Sequence, residues 1–142
     1  MTNTVKITCR VTATAPGLTL IARVDDREIF RGDACSSNDI VADLADDDAE
    51  HVLVFELSGK TAEHTKIDQS GAILQDTTVS VQDLAFDEIR LGQLFYEKAI
   101  YEHDFNGTGN RIKEKFYGTM GCNGTISLRF TTPIYLWLLE NM

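Results

Sequence analysis

Proline is scarce, with two residues in 142, and no low-complexity run interrupts the chain. That leaves little room for an extended linker or a disordered tail. Cysteine is limited to Cys9, Cys35 and Cys122. Odd in number and without a CxxC spacing, these support neither a disulfide framework nor a zinc knuckle. Buried thiols and synthesis in a reducing cytoplasm are expected. Positive charge is short as well: 13 Lys and Arg stand against 22 Asp and Glu, a formal charge of −9. This excludes a protein that binds nucleic acid by displacing counterions from phosphates, which needs a basic face. No apolar run approaches the roughly 20 residues of a membrane helix, and Met1 to Ile7 lacks the basic and apolar regions of a secretory leader. No membrane partner is expected. Nucleophile motifs are missing: there is no GxSxG elbow, and the glycine-rich Gly118 to Thr125 lacks a phosphate-loop lysine. The expectation is a protein that is not an enzyme.

What the chain does have is alternation. Val5, Ile7, Cys9, Val11 and Ala13 fall on every second residue between Lys6, Thr8, Arg10 and Thr12, the pattern of a half-buried strand. Leu18, Leu20, Ala22 and Val24 repeat it, Asp25-Asp26 reads as a tight turn, and Arg27 to Phe30 returns as a partner strand. Gly32 to Asn38 is loop by composition, and Ile40 to Leu44 is a further short strand. Val52 to Phe55 is apolar on both faces, which predicts a central strand covered on each side and continuing to Leu57. Asp68 to Gly71 is a turn signal, and Val79 and Val81 alternate with polar neighbours. The aromatic content of Phe95 to Phe105 favours strand. Asn106-Gly107 and Asn123-Gly124 suit hairpin turns, Thr125 to Phe130 alternates, and Thr132-Pro133 looks like a helix start. Eight to ten short strands with frequent turns predict a single all-β domain over residues 1–142. The form expected is a two-sheet β-sandwich of jelly-roll type with a short C-terminal helix or last strand.

Candidate sites divide by chemistry. Asp43, Asp46, Asp47, Asp48 and Glu50 form an acidic group. It reads as a solvated turn; the alternative is a calcium site on Asp47 and Asp48 with Asp76 or Asp104, although the EF-hand spacing fails at His51 and Leu57. His51, His64 and His103 are scattered without metal-ligand spacing. Arg31-Gly32-Asp33 matches an adhesive tripeptide in an expected loop. Tyr96, Tyr101, Phe105, Phe116, Tyr117, Tyr135 and Trp137 crowd the last third. They read as core and subunit interface or, with Tyr96, Tyr101, Tyr117 or Trp137 exposed, as a sugar-stacking platform. Ile134, Tyr135, Leu136, Trp137 and Leu138 are too apolar to lie bare, so they are expected to seal the core or meet a neighbour. The acidic group and this tail suggest two unlike poles.

The stretches His51 to Lys60, His64 to Gly71, Tyr101 to Gly107 and Phe116 to Gly124 together resemble small jelly-roll structural proteins of tailed bacteriophages. They are also similar in texture to carbohydrate-binding modules. The first resemblance implies a virion component made in the host cytoplasm, a capsid decoration or a neck or tail module. Its partners would be other virion proteins and copies of itself. The second implies a glycan partner, an aromatic-lined loop end and the assistance of calcium.

Overall fold

The computed structural model describes residues 4–14, 17–33, 36–59, 65–67, 69–70, 73–76, 78–103, 112–116, 118–120 and 123–141, with the side chains of 36–37, 65–67 and 73–76 outside the description. One sheet is built from β1 (Thr4–Ala13), β4 (Ser36–Ala45), β8 (Val79–Phe86), β9 (Ile89–Arg90) and β12 (Thr119–Met120). Its order is β12-β8-β1-β4, with β9 hairpinned onto β8. The other holds β2 (Thr19–Val24), β3 (Arg27–Asp33), β5 (Glu50–Ser58), β10 (Ile100–His103), β11 (Ile112–Lys115) and β13 (Gly124–Thr131), ordered β11-β10-β13-β5-β2-β3. Every described pairing is antiparallel. A small hairpin pairs β6 (Thr65–Ile67) with β7 (Ile73–Asp76) around the expected turn. The result is a two-sheet β-sandwich of jelly-roll type, the chain changing sheet at most connections.

Alternation built this core. Val5, Ile7, Cys9 and Val11 point in from the first sheet, and Leu53, Phe55 and Leu57 meet them from the second. β5 is central, as its composition predicts, but its outer face is half-buried and not fully covered. Thr132 precedes α2 (Ile134–Asn141), the expected C-terminal helix.

Several expectations change. Arg31-Gly32-Asp33 is the end of edge strand β3, not a loop, and Arg31 is paired with Glu28. An extended strand tied into a ladder does not present these side chains as a loop tip does. Most of the expected loop from Gly32 to Asn38 is strand, β3 running to Asp33 and β4 starting at Ser36. Phe95 begins no strand: it lies in α1 (Gln93–Lys98), and the strand starts only at Ile100. Asn123-Gly124 is not a hairpin turn, because β12 and β13 belong to different sheets. Gly124 answers a close approach instead, since a side chain there would collide with the Glu102 carbonyl of β10. Asn106-Gly107 lies outside the described residues.

Candidate functional site

Two acidic hairpin turns lie at one end of the sandwich, one on each sheet. Asp25-Asp26 joins β2 to β3, and Asp87-Glu88 joins β8 to β9. All four residues have positive φ, the conformation a tight two-residue hairpin needs and one that glycine ordinarily supplies. The first residue of each turn shows why aspartate is used. Asp25 donates its N–H to the Val52 carbonyl (3.0 Å) and accepts the Val52 N–H on Oδ1 (2.9 Å). Asp87 repeats this with Lys6, at 2.8 Å for both bonds. Each carboxylate thus stands in for a backbone carbonyl and extends the ladder by a residue.

At the first turn the expected acidic group takes shape. His51 is buried, with its ring 5.7 Å from Phe130. Its Nδ1 meets Asp25 and its Nε2 meets Asp47 (2.7 Å). Two carboxylates at two ring nitrogens are both satisfied only by the imidazolium. Burial pushes the His51 pKa down, but the hydrogen bonds and charges of Asp25 and Asp47 outweigh it and hold the pKa above the ordinary 6.5. Asp47 is held below 3.8, chiefly by its bond from His51. Asp47 also accepts from the Thr132 hydroxyl (3.2 Å), whose oxygen accepts the Ala49 N–H (3.2 Å). The β4–β5 loop is therefore fastened beside the start of α2. The acidic group and the apolar tail share one end of the molecule and are not two poles.

For a cation this geometry is poor. Among the described residues no group of three His, Cys, Asp or Glu is disposed to hold a metal ion. Asp47 is engaged with His51 and Thr132, while Asp48 is exposed at a positive φ. The Asp76 side chain and Asp104 lie outside the described residues.

The five tail residues separate cleanly. Ile134, Trp137 and Leu138 enter the core, Trp137 edge-on to Phe130 at 6.3 Å. Tyr135 and Leu136 are 52% and 56% exposed, and Leu139 joins them outside. Helical spacing turns 134, 137 and 138 to one face, so only Tyr135 and Leu136 of the five remain open to a neighbour. Among the described residues, the named rings do not assemble into an exposed aromatic platform. Tyr101 and Trp137 are core residues because their strand and helix turn them inward, and Tyr117 lies outside the described residues. Tyr96 is half-buried against Phe95 and Phe116.

A concave site does lie on the outer face of the first sheet, and the sequence reading missed it. The alternation that buries Ile7 and Val11 turns Thr8 and Arg10 outward, and the register sets Asp39 and Val41 of β4 beside them. On the other side a bulge in β8 sets two residues, Asp83 and Leu84, opposite Cys9. Asp83 takes a positive φ there and is exposed, while Leu84 goes to the core. Small Thr8 and Ala85 face each other mid-sheet, and longer side chains rise around them. The groove holds about 410 Å³. Arg10 Nε contacts Asp39 (3.2 Å), Arg90 contacts Asp83 (4.0 Å), and Glu88 of the strained turn adds a third carboxylate. Cys9 borders the groove from the core side, where burial and the charge of Asp39 push its thiol up to about 12, so it stays protonated. Planar guanidinium and carboxylate groups side by side offer paired donors and paired acceptors to a hydroxyl-rich molecule. The available signal was polar alternation along β1, but only the pairing register shows which acid meets which arginine.

No protein-family model and no curated sequence matches this chain. Among solved structures, "vCBM60 in complex with galactobiose" superposes with a TM-score of 0.52 at 13% identity. The match covers 87% of this chain and 96% of that one. The likeness shows the fold alone, a two-sheet β-sandwich.

Proposed function

We propose that the protein is a non-catalytic glycan-binding module whose site is the outer groove of the first sheet. The observation that carries this is the groove itself, where two guanidinium–carboxylate pairs flank a floor of small residues. Its volume of about 410 Å³ falls in the roughly 300–1,000 Å³ range of small-molecule sites. The fold it shares with a module solved with galactobiose supports the reading. Arg10 and Arg90 donate to sugar oxygens, while Asp39, Asp83 and Glu88 accept from hydroxyls. Charged groups make the stronger hydrogen bonds that offset the loss of hydration.

The test is a panel of galacto-, xylo-, cello- and chito-oligosaccharides, with and without calcium, against the native chain and Arg10→Ala/Arg90→Ala. Binding of at least one series, lost in the double variant, is the expected result; silence from every series under both conditions counts against it.

A second reading, a phage virion component working by subunit adhesion, draws on the bacteriophage resemblance and on exposed Tyr135, Leu136 and Leu139. Solution mass separates the two. A defined oligomer that Leu136→Ser dissociates favours adhesion, and a monomer at high concentration favours the module.

A further inference from the structure

The groove does not end at Arg90. Asp83 and Arg90 also line a smaller cavity of about 170 Å³, completed by Leu84, Gly92, Phe95 and Tyr96. The two hollows therefore adjoin across the Asp83–Arg90 pair, but their chemistry differs. Half of the residues lining the first are charged. The second sets an aromatic ring and apolar side chains beneath a charged lip.

Tyr96 is held firmly in this wall. Its ring centroid lies 5.5 Å from Phe95 and 6.0 Å from Phe116. Gly118, at φ 100°, borders the ring at ordinary contact distance, a Cβ there standing 3.5 Å from it. Gly92, also in the lining, has nothing within 4 Å of where a side chain would stand. The Tyr96 ring is thus packed on Phe95 and Phe116 and, being half-buried, keeps part of its surface toward the cavity.

A pyranose has the matching character: an apolar face of C–H groups and an edge of hydroxyls. We propose that the Tyr96 cavity is a second sugar subsite, so that the protein binds an oligosaccharide chain running from the Arg10–Asp39 pair, past Asp83–Arg90, onto Tyr96. This rests on the groove being a glycan site, and it makes Tyr96 the residue that reads chain length. It also restores one of the four rings expected for stacking, as a single wall and not a platform.

The experiment is calorimetric titration of di-, tri- and tetrasaccharides of the same galacto, xylo, cello and chito series. It uses the native chain, Tyr96→Ala and Tyr96→Leu, the last to keep apolar packing if alanine unfolds the protein. Stacking a further ring removes on the order of 50–60 Å² of apolar surface from water, so affinity should rise about tenfold from a disaccharide to a longer chain. In Tyr96→Leu that ratio should fall toward one. Equal affinity for all lengths, or a ratio that survives in Tyr96→Leu, overturns the subsite and leaves the groove standing. If no oligosaccharide of any series binds, both are overturned.

Discussion

Replacing His51 by phenylalanine removes two ring nitrogens and their two hydrogen bonds while keeping a ring to pack on Phe130. Bonds to charged groups are worth about 1.5–3 kcal/mol each when buried. Asp25 and Asp47, however, keep 40% and 48% of their side chains exposed and regain water when His51 is lost. Screening and rehydration therefore reduce the expected cost to about 2 kcal/mol in all. For a chain of this size that lowers the melting temperature by roughly 6–8 °C.

The pH dependence is the sharper part. The His51 pKa is raised on folding, so its contribution is complete below the unfolded value of 6.5 and fades as pH rises through the folded one. The Asp47 pKa is lowered, so its contribution is complete above 3.8 and fades as pH falls through the folded value. The stability gap between native and His51→Phe proteins should thus be widest between about pH 4 and 6.5 and should narrow on either side. Urea unfolding of both proteins across pH 3–9 measures it. A gap that is flat with pH, or grows toward alkaline pH, would refute the imidazolium bridge.

Trp137→Ala should destabilise by about 3–5 kcal/mol, as loss of a buried aromatic does, whereas Leu136→Ser should stay within about 0.5 kcal/mol; chemical unfolding distinguishes core from surface at neighbouring positions. In the second hairpin turn, Glu88→Gly relieves a left-handed residue at some entropic cost and should gain about 0.5 kcal/mol. Asp87→Gly, one position earlier, should instead lose about 1 kcal/mol, because the carboxylate that accepts the Lys6 N–H is gone. Equal effects at the two positions in thermal unfolding would contradict the ladder-extending role of aspartate.

The strands were readable wherever one face was buried, since Val5 to Val11 and Leu53 to Leu57 keep a period of two that only burial on one side imposes. Asp25-Asp26 and Thr132-Pro133 were readable because a turn and a helix start are local events. α1 was not: six residues give too few turns for a helical period, and Phe95 and Tyr96 carry strand propensity that packing on Phe116 overrides. The groove escaped for a different reason. Arg10 and Asp39 are 29 residues apart, and Asp83 comes to the groove through a bulge that no local pattern announces. Tail residues could be recognised as buried-type side chains, but which of them face outward depends on the helix phase against Phe130.

The central claim is that the outer groove of the first sheet binds sugar through its two arginine–carboxylate pairs. Its most direct measurement is nuclear magnetic resonance of the labelled native chain, titrated with whichever oligosaccharide of the panel binds best. Saturable shifts are expected on Thr8, Arg10, Asp39 and Ala85 and should vanish in Arg10→Ala/Arg90→Ala. Saturable shifts confined to other surfaces, or no binding by any oligosaccharide, would contradict it.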